Sequence, residues 1–96
     1  MPVYIAVSLA ANSEPLNVAI QARIGQEDRY KLQANAGWLV SFKGTTIELS
    51  NHIGLTGQLA GQPPSVASAI IVPVTGYYGR GPTDMWEWLK TRLEQQ

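Results

Sequence analysis

The chain contains a single histidine, and this residue is the first candidate for acid–base chemistry. His52 lies four residues after Glu48 on a predicted helix, so the two side chains share one helix face. A histidine beside a carboxylate can act as an acid–base group near neutral pH. Because no nucleophile is spaced to meet the pair, we expect a solvent-facing or capping histidine and no catalytic residue. With no cysteine, only carboxylates remain as further zinc ligands, so we predict no metal site.

A second candidate is the run Lys43-Gly44-Thr45-Thr46, which is similar to the end of a phosphate-binding loop. Leu39 stands where that motif has its first glycine. The run therefore predicts a turn between a strand and a helix. A helix N-terminus at this point could still hold an anion.

The segment 77–81 combines two aromatic residues, one cation and two glycines. Such a loop could stack a base, or hold a carboxylate or a phosphate with its guanidinium group. It could equally be a hinge whose tyrosines pack under the last helix. If it forms a ligand site on an open sheet face, we expect that site to be lined by Tyr4, Trp38, Tyr77, Tyr78 and Arg80.

Length and composition limit the classes of function. The 96 residues predict one domain, 1–96, and the seven basic residues balance the seven acidic ones. This balance gives no basic excess for nucleic acid, so we expect no nucleic-acid partner. The absence of cysteine excludes disulfides and thiolate chemistry. We expect no signal peptide, and because the sequence contains no apolar run of membrane-spanning length, we expect a cytoplasmic protein without a cofactor.

Apolar periodicity predicts four strands and three helices. The strands are expected at 3–9, 30–34, 38–42 and 66–75, and the helices at 14–24, 45–53 and 84–93. Ser13 or Asn12 is expected to cap the first helix, and Thr45 with Glu48 fits a capping box for the second. Thr83 or Asp84 is expected to cap the third.

The order of these elements, β-α-β-β-α-β followed by a helix, predicts an α+β fold. Two right-handed crossovers interleave into a ferredoxin-like sandwich with a four-stranded antiparallel sheet in the order 4-1-3-2. Pro73 agrees with this order, because a proline is tolerated on an edge strand and the fourth strand is an edge. The first two helices cover one face, and the last helix either covers the other face or packs on a second subunit.

Four segments of the chain carry a resemblance to a known group of proteins. They are the run Gly37-Trp38-Leu39-Val40-Ser41-Phe42, the Thr-capped helix, the strand with Ile70-Ile71-Val72 and the terminal Trp-Leu-Lys. As a pattern of elements, the chain resembles small ferredoxin-like proteins related to the CRISPR-associated endoribonucleases and the virulence-associated D proteins. This resemblance implies a homodimer built through the fourth strand or the C-terminal segment. Members with metal-dependent nuclease activity carry an acid near the end of strand 1, where this chain has none. In size, the chain also resembles orphan proteins of mobile gene cassettes such as those of integrons.

The tryptophans and the uncharged fourth strand together predict self-association. Trp86 and Trp88 lie two residues apart, about 200° around a helix axis, so we expect one of them to face a partner. We predict a non-enzymatic interaction module that acts as a homodimer, with an unidentified protein or small molecule as a further partner. The alternatives are a small-ligand or anion binder at the open sheet face, a degenerate metal-dependent nuclease and a hydrolase using His52. The expected dimer contacts are Ile71, Pro73, Trp86 and Trp88.

Overall fold

A computed structural model of the chain describes residues 2–32, 37–59, 61–63, 66–76 and 78–94. It is an α+β fold with a four-stranded antiparallel sheet and three α-helices, as predicted. The strands are β1 (Val3–Ser8), β2 (Arg29–Lys31), β3 (Gly37–Ser41) and β4 (Ala69–Pro73). The α-helices are α1 (Glu14–Arg23), α2 (Thr46–His52) and α3 (Thr83–Glu94), and a short 3-10 turn covers Gln26–Asp28.

The sheet has the order β2-β3-β1-β4, and every neighbouring pair is antiparallel. Val3 lies opposite Ser41 of β3, and Tyr4 lies opposite Pro73 of β4. The two longest pairings are therefore those of the central strand β1. The strands β2 and β4 form the two edges of the sheet.

One face of the sheet packs under α1 and α2. Alternation along β1 turns Tyr4 and Ala6 to this face. Apolar residues at helical spacing, such as Leu16 and Ile20 of α1 and Leu49 of α2, pack against them. This larger core is completed by Ile24, Trp38, Val40, Ile53 and Val66.

The opposite face carries a smaller core beneath α3. Val3 and Leu39 of the sheet and Leu89 of α3 are its buried members. The last helix therefore folds back over its own sheet, which is one of the two arrangements that the sequence left open. Of the helices described, none is long and apolar enough to cross a membrane.

The helix starts agree with the sequence at α1 and α2 and differ at α3. The capping box of Thr45 and Glu48 is formed in both directions. Ser13 stands at the N-cap of α1 without a side-chain bond, and the carboxamide of Asn12 accepts the Glu14 amide instead. Both predicted caps of α3 are wrong, because Thr83 and Asp84 are the first two residues of the helix itself.

The third helix begins at Thr83, two residues earlier than a cap at Asp84 requires. The carbonyl of Pro82 accepts the amides of Met85 and Trp86. Asp84 thus lies within the first turn of α3, where its carboxylate accepts a bond from the Tyr30 hydroxyl at 2.9 Å.

Candidate functional site

The outer edge of β4 is the most distinctive surface of the sheet. The bond from the Val74 amide to the Val3 carbonyl, and that from the Leu9 amide to the Ser68 carbonyl, fix which groups of β4 face β1. Because antiparallel pairs alternate between bonded and non-bonded positions, Ile70 and Val72 also bond to β1. The backbone groups of the remaining β4 residues, Ala69, Ile71 and Pro73, point away from the sheet.

Pro73 is placed where its missing amide costs nothing to this sheet. It lies opposite Tyr4 at a non-bonded position, so its nitrogen faces the outer edge and not β1. Proline is therefore compatible with β4 for two reasons. β4 is an edge strand, and its pairing register with β1 places the Pro73 nitrogen on the outer side. The outward donors of the strand are the amides of Ala69 and Ile71.

Apolar side chains flank this edge on the α3 side of the sheet. Ile70 is 47% exposed and Val72 is 44% exposed. They lie opposite Val7 and Ile5 of β1, on the same face as the core beneath α3. α3 packs over Val3 and Leu39, and Ile70 and Val72 on the β4 side of this face remain partly exposed.

An apolar cleft flanks the edge on the other side, between α2 and β4. The cleft has a volume of about 850 Å³, and the described residues that line it are all uncharged. Ile47 of α2 is 72% exposed at its wall, and Leu9 is 64% exposed beside it. Its floor includes Val66, Ala69 and Ile71. The β4 edge is thus bordered by apolar surface on both faces.

The residues expected to line a ligand site on an open sheet face are not brought together. Tyr4 and Trp38 are buried in the core beneath α1 and α2, on the face opposite the one expected to be open. Tyr78 and Arg80 lie exposed in the loop before α3. Tyr77 lies outside the described residues. The face expected to be open is covered in part by α3, so the described members of this set line no common surface.

Trp86 and Trp88 both pack against their own chain. Each is half-buried beside the core under α3. Trp88 donates to the Glu27 carbonyl and lies 6.2 Å from the Tyr30 ring. The guanidinium of Arg92 lies 5.4 Å from the centre of the Trp88 ring. The angular argument placed one tryptophan away from the core, but the indole of Trp88 reaches sideways to the segment that precedes β2.

His52 is exposed, and its ring nitrogen bonds to a backbone carbonyl and not to the Glu48 carboxylate. Its Nε2 lies 2.9 Å from the Arg23 carbonyl, and its ring lies 5.4 Å from that of Phe42. The carboxylate of Glu48 is bonded to the Thr45 amide in the capping box. The predicted structural role of His52 at a helix end therefore agrees with its observed contacts, because it binds the carbonyl of the last residue of α1.

No group of three or more potential metal-ligating side chains is present within the described residues. The Lys43-Gly44 segment forms the predicted turn between β3 and α2, with Gly44 accepting a bond from the Tyr4 hydroxyl. These residues thus belong to the connection that holds α2 on the sheet.

One polar cluster was not identified from the sequence. The carboxamide oxygen of Asn17 accepts 2.9 Å bonds from both Lys31 Nζ and Trp38 Nε1. The ammonium of Lys31 lies 4.8 Å from the Trp38 ring. This cluster ties α1 to β2 and β3. A polar Asn on the otherwise apolar side of α1 was the only available signal.

A second unpredicted contact ties β2 to α3. Partial burial, together with the hydrogen bond to Asp84 and its negative charge, raises the pKa of Tyr30 above its ordinary value. The neutral tyrosine is the form that donates to the carboxylate, so this contact favours the protonated hydroxyl.

Comparison with known proteins gives no relative: no family model, no curated protein and no solved structure matches the chain.

Proposed function

We propose that this chain is a non-enzymatic interaction module that acts as a homodimer through the outer edge of β4. We also propose that its architecture is the ferredoxin-like plan. Read from the β4 edge, the strands follow one another as 4-1-3-2, and α1 and α2 share one face of the sheet. An open edge strand on such a sheet is a surface to which a further strand can be added.

The observation that carries the homodimer is the combination of unused backbone groups with uncharged surroundings. Ala69 and Ile71 present outward amides, and no residue between Val66 and Thr75 is charged. Exposed edges in soluble proteins are normally guarded by charge, by short length or by a cover. Apart from Pro73, β4 has none of these in the described structure, so a partner strand is the cover that the edge requires.

A second copy of the chain suits this edge because the edge is self-complementary. Two antiparallel β4 strands related by a twofold axis present the same donors, acceptors and apolar side chains to each other. No like charges oppose each other, since the strand has no charged residue. Trp86 and Trp88 are also expected dimer contacts, through the parts of their side chains that stay exposed within their own chain.

The small-ligand alternative now has a different location. The cleft between α2 and β4 has a volume within the range of ligand pockets, about 300–1,000 Å³. It borders the same strand edge, and Ala69 and Ile71 belong to both surfaces. We favour the homodimer because a partner strand offers carbonyl acceptors to the outward amides, which an apolar ligand in the cleft does not.

The test is the effect of a charge placed on this edge. In Val72→Lys an ammonium group stands on the exposed side of β4, whereas Val18→Lys places the same charge on the exposed side of α1. We expect the wild type and Val18→Lys to form dimers at micromolar concentration. A dimer carries the Val72 change twice, so a loss of about 1.4 kcal/mol at each copy raises the dissociation constant about 100-fold.

Light scattering over a range of concentrations measures the mass. A wild type that stays monomeric at all concentrations contradicts the proposal. A dimer that Val72→Lys leaves unchanged contradicts the assignment of the contact to β4. Cleavage of RNA by the purified protein with magnesium would contradict its non-enzymatic character.

A further inference from the structure

The alternation of backbone groups in β4 limits how a second strand can pair with it. The outward positions are Ala69, Ile71 and Pro73, and the last of these has no amide. In a twofold antiparallel pair, the axis passes beside one residue, which therefore lies opposite its own copy in the partner strand. The position of this residue determines which residues of the two strands lie opposite each other. The three central residues of the strand give three choices of axis.

An axis at Val72 is the least favourable of these choices. It places Pro73 opposite the partner's Ile71, so a bonded pair next to the axis lacks one of its two amides, whereas an axis at Ile71 moves this missing amide to the last pair of the ladder. It also leaves Ala69 without an opposing residue inside the partner's β4. An axis at Ile70 or at Ile71 uses both outward amides, from Ala69 and Ile71, within the strand.

The side chains distinguish the two remaining axes. With the axis at Ile70, Val72 faces the partner's Ser68, outside β4. With the axis at Ile71, Ile70 faces the partner's Val72, and all five strand residues oppose strand residues. Ile70 and Val72 are the exposed apolar residues of this face, so only the second choice pairs them with each other.

We infer that β4 pairs with the β4 of a second copy around a twofold axis at Ile71, which forms one continuous antiparallel sheet across the dimer. Each Ile71 amide donates to the partner's Ile71 carbonyl, and each Ala69 amide donates to the partner's Pro73 carbonyl. Pro73 is the end of each ladder, because the carbonyl of the partner's Ala69 receives no amide from it. This inference rests on the proposed homodimer and specifies its register.

The same register joins the two clefts. Ile71 belongs to the floor of the cleft between α2 and β4, and the axis sets it beside the partner's Ile71. The exposed Ile47 of each α2 then borders the same apolar surface. The contact therefore covers apolar side chains on both faces of the paired strands.

The absence of native cysteine allows a direct test of the register. Directly opposed residues have Cα atoms about 4.5–5.5 Å apart, within the range that a disulfide spans, whereas diagonal neighbours lie about 7–8 Å apart. Ile70→Cys and Val72→Cys are prepared separately, at exposed positions that are not part of the core. Each is oxidised alone, and then as a 1:1 mixture of the two proteins.

We expect the mixture to form disulfide-linked heterodimers at least about tenfold faster than either variant alone forms homodimers. Faster linkage of Ile70→Cys alone places the axis at Ile70 and overturns the inference, and faster linkage of Val72→Cys alone overturns it in the same way. The masses of the unoxidised variants are measured in parallel. Dimers without any of these links leave the proposed homodimer standing but overturn the register, whereas a monomeric wild type overturns the proposed function itself.

Discussion

The two edges of the sheet differ in length, charge and support. At one edge, β2 has three residues, and its outward backbone positions belong to Arg29 and Lys31. At the other edge, β4 has five residues and no charge. The β2 edge is therefore short and basic, whereas the β4 edge is longer and apolar.

The neighbours of the two edges differ as well. The guanidinium of Arg29 donates to the carbonyls of Gln21 and Ile24 at the end of α1. Arg92 of α3 reaches the Glu27 carbonyl just before β2. The β2 side of the sheet is thus tied to two helices. The β4 side instead borders exposed apolar residues and an open cleft.

This difference shows that the protection of an edge strand against pairing with another chain depends on the local sequence of that strand. Charge and short length are the usual means by which an edge strand avoids pairing with another chain. The chain applies both to β2 and neither to β4, apart from Pro73. The contrast is the physical reason to expect a partner at β4 and none at β2.

The largest effect is expected from prolines placed at neighbouring positions of β4. Ile70→Pro removes an amide that bonds to β1, and we expect a loss of about 3 kcal/mol or more in the free energy of unfolding. Ala69→Pro removes only an outward amide, so we expect a loss below about 1 kcal/mol and a weaker dimer. Urea denaturation measures both losses, at concentrations low enough to keep each protein monomeric.

This pair tests which amides of β4 face outward. Equal losses of stability for the two variants would contradict the assignment. A loss at Ala69→Pro larger than that at Ile70→Pro would reverse it and place the outward amides on the even-numbered residues.

A smaller effect is expected at the support of the β2 edge. Asn17→Ala leaves the indole N–H of the buried Trp38 without its acceptor and releases Lys31. A buried donor left unpaired costs about 1–3 kcal/mol, and we expect that loss in urea denaturation. Gln21→Ala, an exposed change on the same helix, is the control and should alter stability by less than about 0.5 kcal/mol. An equal response of the two variants would show that the cluster does not support this edge.

The smallest effect is expected from the Tyr30–Asp84 contact between β2 and α3. Its environment raises the pKa of Tyr30 in the folded chain above the unfolded value. The resulting stability is fully present below the unfolded pKa, about pH 10, and is lost as the pH rises through the folded pKa. Tyr30→Phe lacks this loss. The stability difference between wild type and variant should therefore fall as the pH rises above about 10, and a difference that grows with rising pH contradicts the account.

The arrangement of the elements was predictable because the spacing of apolar residues along a short segment indicates whether it forms a helix or a strand, and the order of helices and strands limits the fold. Leu16 and Ile20 mark α1, the alternation of β1 marks the central strand, and Thr45 with Glu48 marks the start of α2. These patterns predicted the α+β class and the antiparallel sheet. They overestimated the length of β4, because Val66 is apolar but belongs to the core outside the strand.

The candidate site at β4 was less predictable, because it depends on the pairing register of the strands and on how far side chains extend from the backbone. Tyr4 and Trp38 are aromatic residues on strands, and only the pairing of β1 with β3 shows that both face the helix-covered core. The position of Trp88 depends on the reach of its ring toward Glu27, which angular spacing along a helix does not describe. The outward direction of the Pro73 nitrogen likewise follows only from the pairing of β4 with β1.

Amide hydrogen exchange within β4 tests the central claim most directly. The Ile70 amide bonds to β1 in every state of assembly, whereas the Ile71 amide is bonded only when a partner strand is present. In the wild type at high concentration, we predict that both amides are protected. In monomeric Val72→Lys, we predict that Ile70 stays protected while Ile71 exchanges fast. An Ile71 amide that exchanges as fast in the concentrated wild type as in Val72→Lys would contradict pairing at the β4 edge.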